Sequence, residues 1–204
     1  MSVPLDWDAI YAESDPARWE TERPQPAFAR LAEQGLLAGR VLDVGCGTGE
    51  HVLLAAAGGA DALGVDISPR AIEQAQAKAA ARGIPARFTV GDVLDLEQLS
   101  QTFTVIIDSG LFHNLADEGR VRYVTSLASA LDSGGFCYLL CINEHQPGDP
   151  PPRKVTQAEL RDSFREGWTF TSIVPAAFEL TNSDSGTELV HAWLATIQRN
   201  LRIF

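Results

Sequence analysis

Val41-Leu42-Asp43-Val44-Gly45-Cys46-Gly47-Thr48-Gly49 is the stretch from which the fold can be read. A short apolar strand, Arg40–Val44, runs into three glycines at alternate positions, and a helical stretch, Gly49–Ala57, follows. Glycines at such a turn let the backbone approach a ligand and take positive φ. The helix N-terminus behind them favours negative charge, so the turn suits a phosphate or a carboxylate. The dinucleotide fingerprint G-x-G-x-x-G needs a glycine at position 50, three after Gly47. Glu50 stands there, and the fingerprint fails. The spacing present is D-x-G-x-G-x-G. A carboxylate two residues before the first glycine repels pyrophosphate, but it is well placed for a ligand that carries an ammonium.

The pattern alternates outward from this turn. Ala62–Asp66 reads as a second strand, and Ser68-Pro69 starts a helix that runs to Arg82 and stops at Gly83. Arg87–Val90 and Phe103–Asp108 read as the third and fourth strands, the latter with the run Val105-Ile106-Ile107 of a buried parallel strand. Asp117 caps a helix to Leu131, Asp132–Gly135 is a turn, and Phe136–Cys141 is the fifth strand. Strict alternation implies right-handed crossovers and a doubly wound α/β sheet, whose ligands bind beyond the carboxyl ends of the strands. The last third departs from alternation. Thr156-Gln157-Ala158-Glu159 is a capping box opening a helix to about Arg165. Trp168–Leu180 and Glu188–Gln198 then read as strands joined at Asn182–Gly186, a hairpin that puts one antiparallel strand in a seven-stranded sheet. Residues 1–39 differ in character: Leu5 to Pro26, which hold Trp7, Tyr11, Trp19 and three prolines, precede a helix, Ala27–Gln34, closed by Gly35. They read as a lid on a core of residues 40–204 within one domain.

Four acids stand at four consecutive strand ends: Asp43, Asp66 in Gly64-Val65-Asp66-Ile67-Ser68, Asp92 in Gly91-Asp92-Val93, and Asp108 in Asp108-Ser109-Gly110-Leu111-Phe112-His113. Each alone reads as a solvated turn residue. Together with the glycine turn they resemble class I S-adenosylmethionine-dependent methyltransferases, whose sheet is Rossmann-like with an antiparallel last strand. The resemblance covers nearly the whole chain from Arg40. It implies that Gly45, Cys46, Gly47, Thr48 and Gly49 hold the methionyl end, with Asp43 acting indirectly on its ammonium. It implies that Asp66, beside Ile67, accepts from the two ribose hydroxyls, because one carboxylate can accept both donors. Such a side chain faces the cleft and contributes little to folding. Asp92 and Val93 then meet the adenine, and Asp108 lies where methyl and acceptor meet.

The sequence after the fourth strand bears on the acceptor. Enzymes of this family that methylate amino groups of nucleic-acid bases carry Asp/Asn-Pro-Pro-aromatic there; this chain has Asp108-Ser109-Gly110-Leu111. With the N-terminal tryptophans and Pro24-Gln25-Pro26, it is more similar to the small-molecule branch, which methylates thiols, halides, thiopurines and heterocyclic hydroxyls. His113 is the candidate general base, since a neutral imidazole can accept a proton from a hydroxyl. The other reading of it is a histidine packed in the loop and bonded to backbone or carboxylate. Aromatic faces attract a sulfonium as they attract an ammonium, so Trp19, with Trp7 and Tyr11, either lines the cofactor or simply packs. Arg23 pairs with a methionyl carboxylate or lies on the surface. The proline-rich loop Gln146–Pro152 either walls the acceptor site or connects elements.

Composition narrows the function classes. The formal net charge of −11 repels phosphate backbones, and no Lys/Arg cluster offsets it, so nucleic acid is not an expected partner. No apolar run reaches the length of a bilayer span, and the acidic N-terminus has no signal-like core, which gives the expectation of a cytoplasmic protein, monomer or homodimer. Cys46, Cys137 and Cys141 fit no zinc spacing and read as reduced core thiols; no metal is expected. Two other classes remain: a nicotinamide-dependent oxidoreductase on a similar sheet, disfavoured by the failed fingerprint, and a non-catalytic adenosylmethionine-binding protein.

Overall fold

A computed structural model describes residues 6–13, 17–148, 153–182 and 186–201. Strands β1 (Arg40–Val44), β2 (Asp61–Asp66), β3 (Arg87–Val90), β4 (Phe103–Ser109), β5 (Leu131–Ile142), β6 (Trp168–Asn182) and β7 (Gly186–Arg199) form one sheet in the order β3-β2-β1-β4-β5-β7-β6. Strands β1 to β5 pair in parallel, and β7 pairs antiparallel with both β5 and β6. Only β7 is therefore reversed, as the hairpin reading expects. The strand order turns back on itself between β1 and β4. Chains leaving those two strands diverge and open a crevice at their carboxyl ends.

The central strands are apolar on both faces because helices cover both. Neighbouring residues feed opposite cores. Leu42, Val44 and Ile106 pack with Tyr123, Leu127 and Leu160 of helices α5 (Asp117–Ala130) and α6 (Gln157–Ser163). Val41, Val105 and Ile107 pack with Phe28, Val52 and Ile72 of helices α2 (Pro26–Glu33), α3 (Glu50–Ala57) and α4 (Pro69–Arg82). Cys137 and Cys141 face the first of these cores as free, buried thiols. Of the expected caps, Ser68 Oγ accepts from Ala71 N–H at 3.1 Å, Gly83 ends α4 at φ +65°, and Thr156 and Glu159 close a capping box on α6. Asp117 does not cap α5, because it is already the first helical residue and Ala116 holds the N-cap position. No helix among the described residues is long and apolar enough to cross a membrane.

The structure corrects one stretch. Asp132–Gly135, expected as a turn, lies inside β5, which starts directly after α5. Phe103 pairs with Leu131 and Val105 with Phe136, so β5 bulges against β4. Gly134 at φ +83° takes the bend. A short helix, α1 (Trp7–Ile10), and two 3-10 turns, Leu96–Leu99 and Phe112–Asn114, carry no clear signal in the sequence. Of the proline-rich loop, residues 149–152 lie outside the described residues, as do 183–185 of the hairpin turn.

The N-terminal segment straps across the crevice. On one side Asp8 accepts from Ser68 Oγ at 2.7 Å and from Arg70 N–H at 3.0 Å, and Gln74 donates to Tyr11 O at 3.0 Å. On the other, the Gln25 side chain exchanges two hydrogen bonds with the Glu179 backbone, at 2.7 and 2.8 Å. It is thus tied to α4 at one end and β6 at the other.

Candidate active site

The glycine turn is built by backbone conformations that side chains resist. Gly45, Gly47 and Gly49 sit at φ +66°, +51° and +88°. A Cβ on Gly47 would stand 2.7 Å from both Glu20 Oε1 and Tyr11 Oη, so the strap's own closeness also demands glycine there. The Gly45 and Cys46 N–H groups donate to Val65 O, which wraps the turn around the end of β2. Glu50, where a dinucleotide turn needs its third glycine, is buried and reaches back to Lys78 Nζ at 2.7 Å and to Arg82 at 2.8 and 2.9 Å. The Thr48 hydroxyl is held between Glu20 and Lys78, so it is not free to face a ligand.

The four acids divide into distinct environments. Asp66 lines the crevice and bridges the turn, accepting from Gly47 N–H and Ser68 N–H at 2.9 Å each. Burial pushes its pKa up against those bonds. Its two backbone partners contradict the expectation that it contributes little to folding. Asp92 is exposed on the crevice beside Val93 and Ile67, with one oxygen accepting from Leu94 N–H at 2.8 Å. Asp43 is 1% exposed, and neither of its oxygens has a hydrogen-bond partner; His51 Nδ1 stands 3.8 Å away. Burial, then the neighbouring charges of Asp108, Asp66 and Glu20, push its pKa well above the carboxylate range.

Asp108 is corrected outright. It is fully buried and does not line the crevice. One oxygen accepts from Tyr123 Oη at 2.7 Å and the other from Leu111 and Phe112 N–H at 2.8 and 3.3 Å. Its role is to hold the loop after β4. Ser109 and Gly110 take the place at the crevice that the sequence assigned to it.

The crevice encloses a cavity of about 620 Å³, within the range of small-molecule sites. Trp7 and Trp19 meet edge to face at 5.9 Å, and Trp19 Nε1 donates to Tyr11 Oη at 3.1 Å, so all three line it as one aromatic wall. Arg23 also lines it, but its guanidinium is engaged by Glu179 at 2.9 Å and by Thr187. Beyond the turn the walls become apolar: Leu111, Leu115, Ile142, Phe178 and Leu180. His113 sits among them. Ile142 N–H donates to its Nδ1 at 3.1 Å, and Nε2 has no partner among the described residues. Burial, aided by the Arg120 charge, pushes its pKa down to about 3. The neutral ring therefore carries its proton on Nε2, and as it sits it is a donor, which contradicts its reading as a general base.

Residues 41–135 match the family described as a methyltransferase domain. The chain is 36% identical over 161 residues to a 2-heptyl-1-hydroxyquinolin-4(1H)-one methyltransferase of Mycobacteroides abscessus, an alignment covering 78% of this chain and 71% of that protein. The chain is an S-adenosylmethionine-dependent methyltransferase. A structure determined in work on the conversion of a disulfide bond into a thioacetal group during echinomycin biosynthesis is similar to this methyltransferase over 97% of the chain and 93% of its own length, with TM-score 0.88 and 36% identity. A probable thiol methyltransferase of Arabidopsis thaliana is 27% identical over 155 residues, 75% of this chain and 68% of its own.

The residues fit that cofactor. The orphaned Asp43 carboxylate lies behind a turn that side chains would fill and off the cavity wall, so its charge would favour a ligand ammonium through the turn without touching it. The structure brings Trp19, Gly45, Cys46, Gly47, Gly49, Asp66, Ile67, Asp92, Val93 and His113 to one cavity and leaves Asp43, Thr48 and Asp108 off its walls. Sequence reasoning missed Glu20, Gln25 and His51. Glu20 is a lone acid in an irregular segment, and nothing in its spacing announces contact with Thr48.

Proposed function

We propose that this methyltransferase transfers the methyl group of S-adenosylmethionine to a hydroxyl or thiol of a small aromatic or heterocyclic acceptor. The observation that carries the reading is the change of character along one cavity: acids and a glycine turn at the ends of β1 to β3, apolar walls at the ends of β4 to β6. The hydroxyquinolinone and thiol named for two relatives support acceptors of this class. When bound, S-adenosylmethionine supplies an electrophilic methyl on a positively charged sulfur that leaves as a neutral thioether. Asp66 accepts from the ribose hydroxyls, Asp92 and the Val93 backbone meet the adenine, and Asp43 offsets the methionyl ammonium through the turn. Trp19, Trp7 and Tyr11 present aromatic faces to the cation. The strap of residues 1–39 excludes water over a core of residues 40–204 in one domain, and apolar walls orient the acceptor. The charge of −11 supports a reading without nucleic acid, and we place the enzyme in the cytoplasm as a monomer or homodimer.

Calorimetry tests this reading. S-adenosylmethionine and its demethylated product should bind with measurable heat, and NAD should not, because Glu50 and its two cationic partners occupy the flank where a nicotinamide site needs bare glycine. Binding of NAD without adenosylmethionine would refute it. Cofactor binding without label transfer to any phenol, heterocyclic hydroxyl or thiol would favour a non-catalytic binder.

A further inference from the structure

Among the described residues, the apolar end of the cavity holds no group free to take a proton. His113 Nδ1 is occupied by Ile142 N–H, which leaves a donor, Nε2–H, on the ring. His51 is in the same position: Gln25 N–H donates to its Nε2 at 3.1 Å, so its proton is on Nδ1, facing Asp43. Glu20 is bonded to Thr48, Glu50 to Lys78 and Arg82, and both oxygens of Asp66 to backbone N–H. Tyr11 Oη accepts from Trp19, and burial holds its phenol protonated. Asp92 keeps a free oxygen, but it stands at the end of β3, three strands from β4, and so about 14 Å away at the usual strand spacing. The cations that reach the cavity, Arg18 and Arg23, are paired with Glu188 and Glu179. Behind His113, on α5, the buried Arg120 lies over the Phe112 ring at 4.3 Å; its Nε and Nη2 have no hydrogen-bond partner, and only Nη1 reaches Glu159, at 3.4 Å.

Resting on the reading of this cavity as a methyl-transfer site, we infer that the acceptor is an acidic aromatic hydroxyl or thiol that reaches transfer already ionised, its anion received by His113 Nε2–H. An imidazole N–H aimed at an anion makes a charge-assisted hydrogen bond, and the positive charge of Arg120 behind the ring, only partly offset by Glu159, favours both the anion and the neutral imidazole. The step balances without a base. A lone pair of the acceptor anion forms the bond to the methyl carbon as the carbon–sulfur bond breaks toward sulfur. The acceptor's proton has gone to solvent beforehand. Aliphatic alcohols, which do not ionise near neutrality, are excluded as substrates.

The test uses the whole chain with a series of ring-substituted phenols and benzenethiols whose acidities span neutrality. With wild-type protein, the pH at which kcat/KM levels off should move with each acceptor's own pKa. Nitrophenol mixed with the protein and S-adenosylhomocysteine should show the phenolate absorbance at a pH where free nitrophenol is protonated. His113→Phe should abolish that spectral shift and lower kcat/KM about tenfold to a hundredfold, the usual worth of a hydrogen bond to a charge, without changing S-adenosylhomocysteine affinity. His113→Gln, which can accept from Ile142 N–H and still donate, should restore most of both. A pH profile fixed on one ionisation for all acceptors, nitrophenol bound as the neutral acid, or faster transfer to aliphatic alcohols would overturn the inference. So would failure to methylate any member of the series while calorimetry shows cofactor binding. Absence of cofactor binding would instead overturn the reading beneath it.

Discussion

Asp66→Ala separates the two jobs that the structure gives this carboxylate. It accepts from Gly47 N–H and Ser68 N–H at 2.9 Å each, so truncation strands two buried donors. An unsatisfied buried donor costs about 1–3 kcal/mol. Asp66 borders the cavity, so water can reach part of the gap, and relief of the carboxylate's own burial penalty offsets more. About 2 kcal/mol of stability is the expected loss, or roughly 4–8 °C in Tm for a chain of this size. Calorimetry should also show S-adenosylhomocysteine affinity falling by about 2–4 kcal/mol, because the ribose hydroxyls lose a charged acceptor. Loosening of the turn would lower affinity too, so the decisive comparison uses the 2′-deoxy analogue. Wild type should discriminate strongly against it and the variant hardly at all, the signature of two groups in contact. Equal discrimination by both proteins would refute the ribose role, and an unchanged Tm would refute the structural one.

Asp43→Asn should raise Tm near neutrality, since it removes a buried unpartnered carboxylate, and should narrow the preference for S-adenosylmethionine over its uncharged-sulfur product; a lower Tm with that preference intact would count against this account. Asp108 carries a pKa pushed up to about 6 by burial, against an ordinary 3.8, so the folded state holds this proton more tightly than the unfolded chain. Its stabilising contribution is full below the unfolded pKa and falls by about 3 kcal/mol as pH rises from about 4 to 6. Asp108→Asn lacks this titration, so its stability relative to wild type should improve across that window, as read from urea unfolding at several pH values; a constant difference would remove the effect.

The sheet was legible because its signals are local. Positive-φ glycines, caps at Ser68 and Thr156, and doubly apolar strands are each set by a residue and its near neighbours. The stretch Asp132–Gly135 was misread because turn chemistry and bulge chemistry use the same residues; pairing with β4 decides between them. The acids show the same limit at the site. Asp66, Asp92 and Asp108 look alike in sequence, each ending a strand. What separates them is the set of donors nearby, and for Asp108 the deciding donor is Tyr123, fifteen residues away on α5. His113 was legible as a residue of the acceptor region, but its proton was not. That depends on Ile142 N–H, supplied by a different strand.

Three carboxylates, Asp43, Asp66 and Asp108, are each held above their ordinary pKa, chiefly by burial, and the charges of Asp108 and Asp66 raise Asp43 further. A fold optimised for stability alone would dilute such a cluster or pair it with cations. Here the cations at hand are spent elsewhere: Lys78 and Arg82 on Glu50, Arg23 on Glu179. The negative potential at the glycine turn is thus left unbalanced by the protein's own cations, and the chain's charge of −11 adds a long-range field of the same sign. A ligand bearing both an ammonium and a sulfonium relieves that potential; its product keeps the ammonium but loses the charge on sulfur. The same field that favours entry of the charged donor therefore holds the spent one less tightly. The cost of the buried acids to stability is what creates this difference between substrate and product.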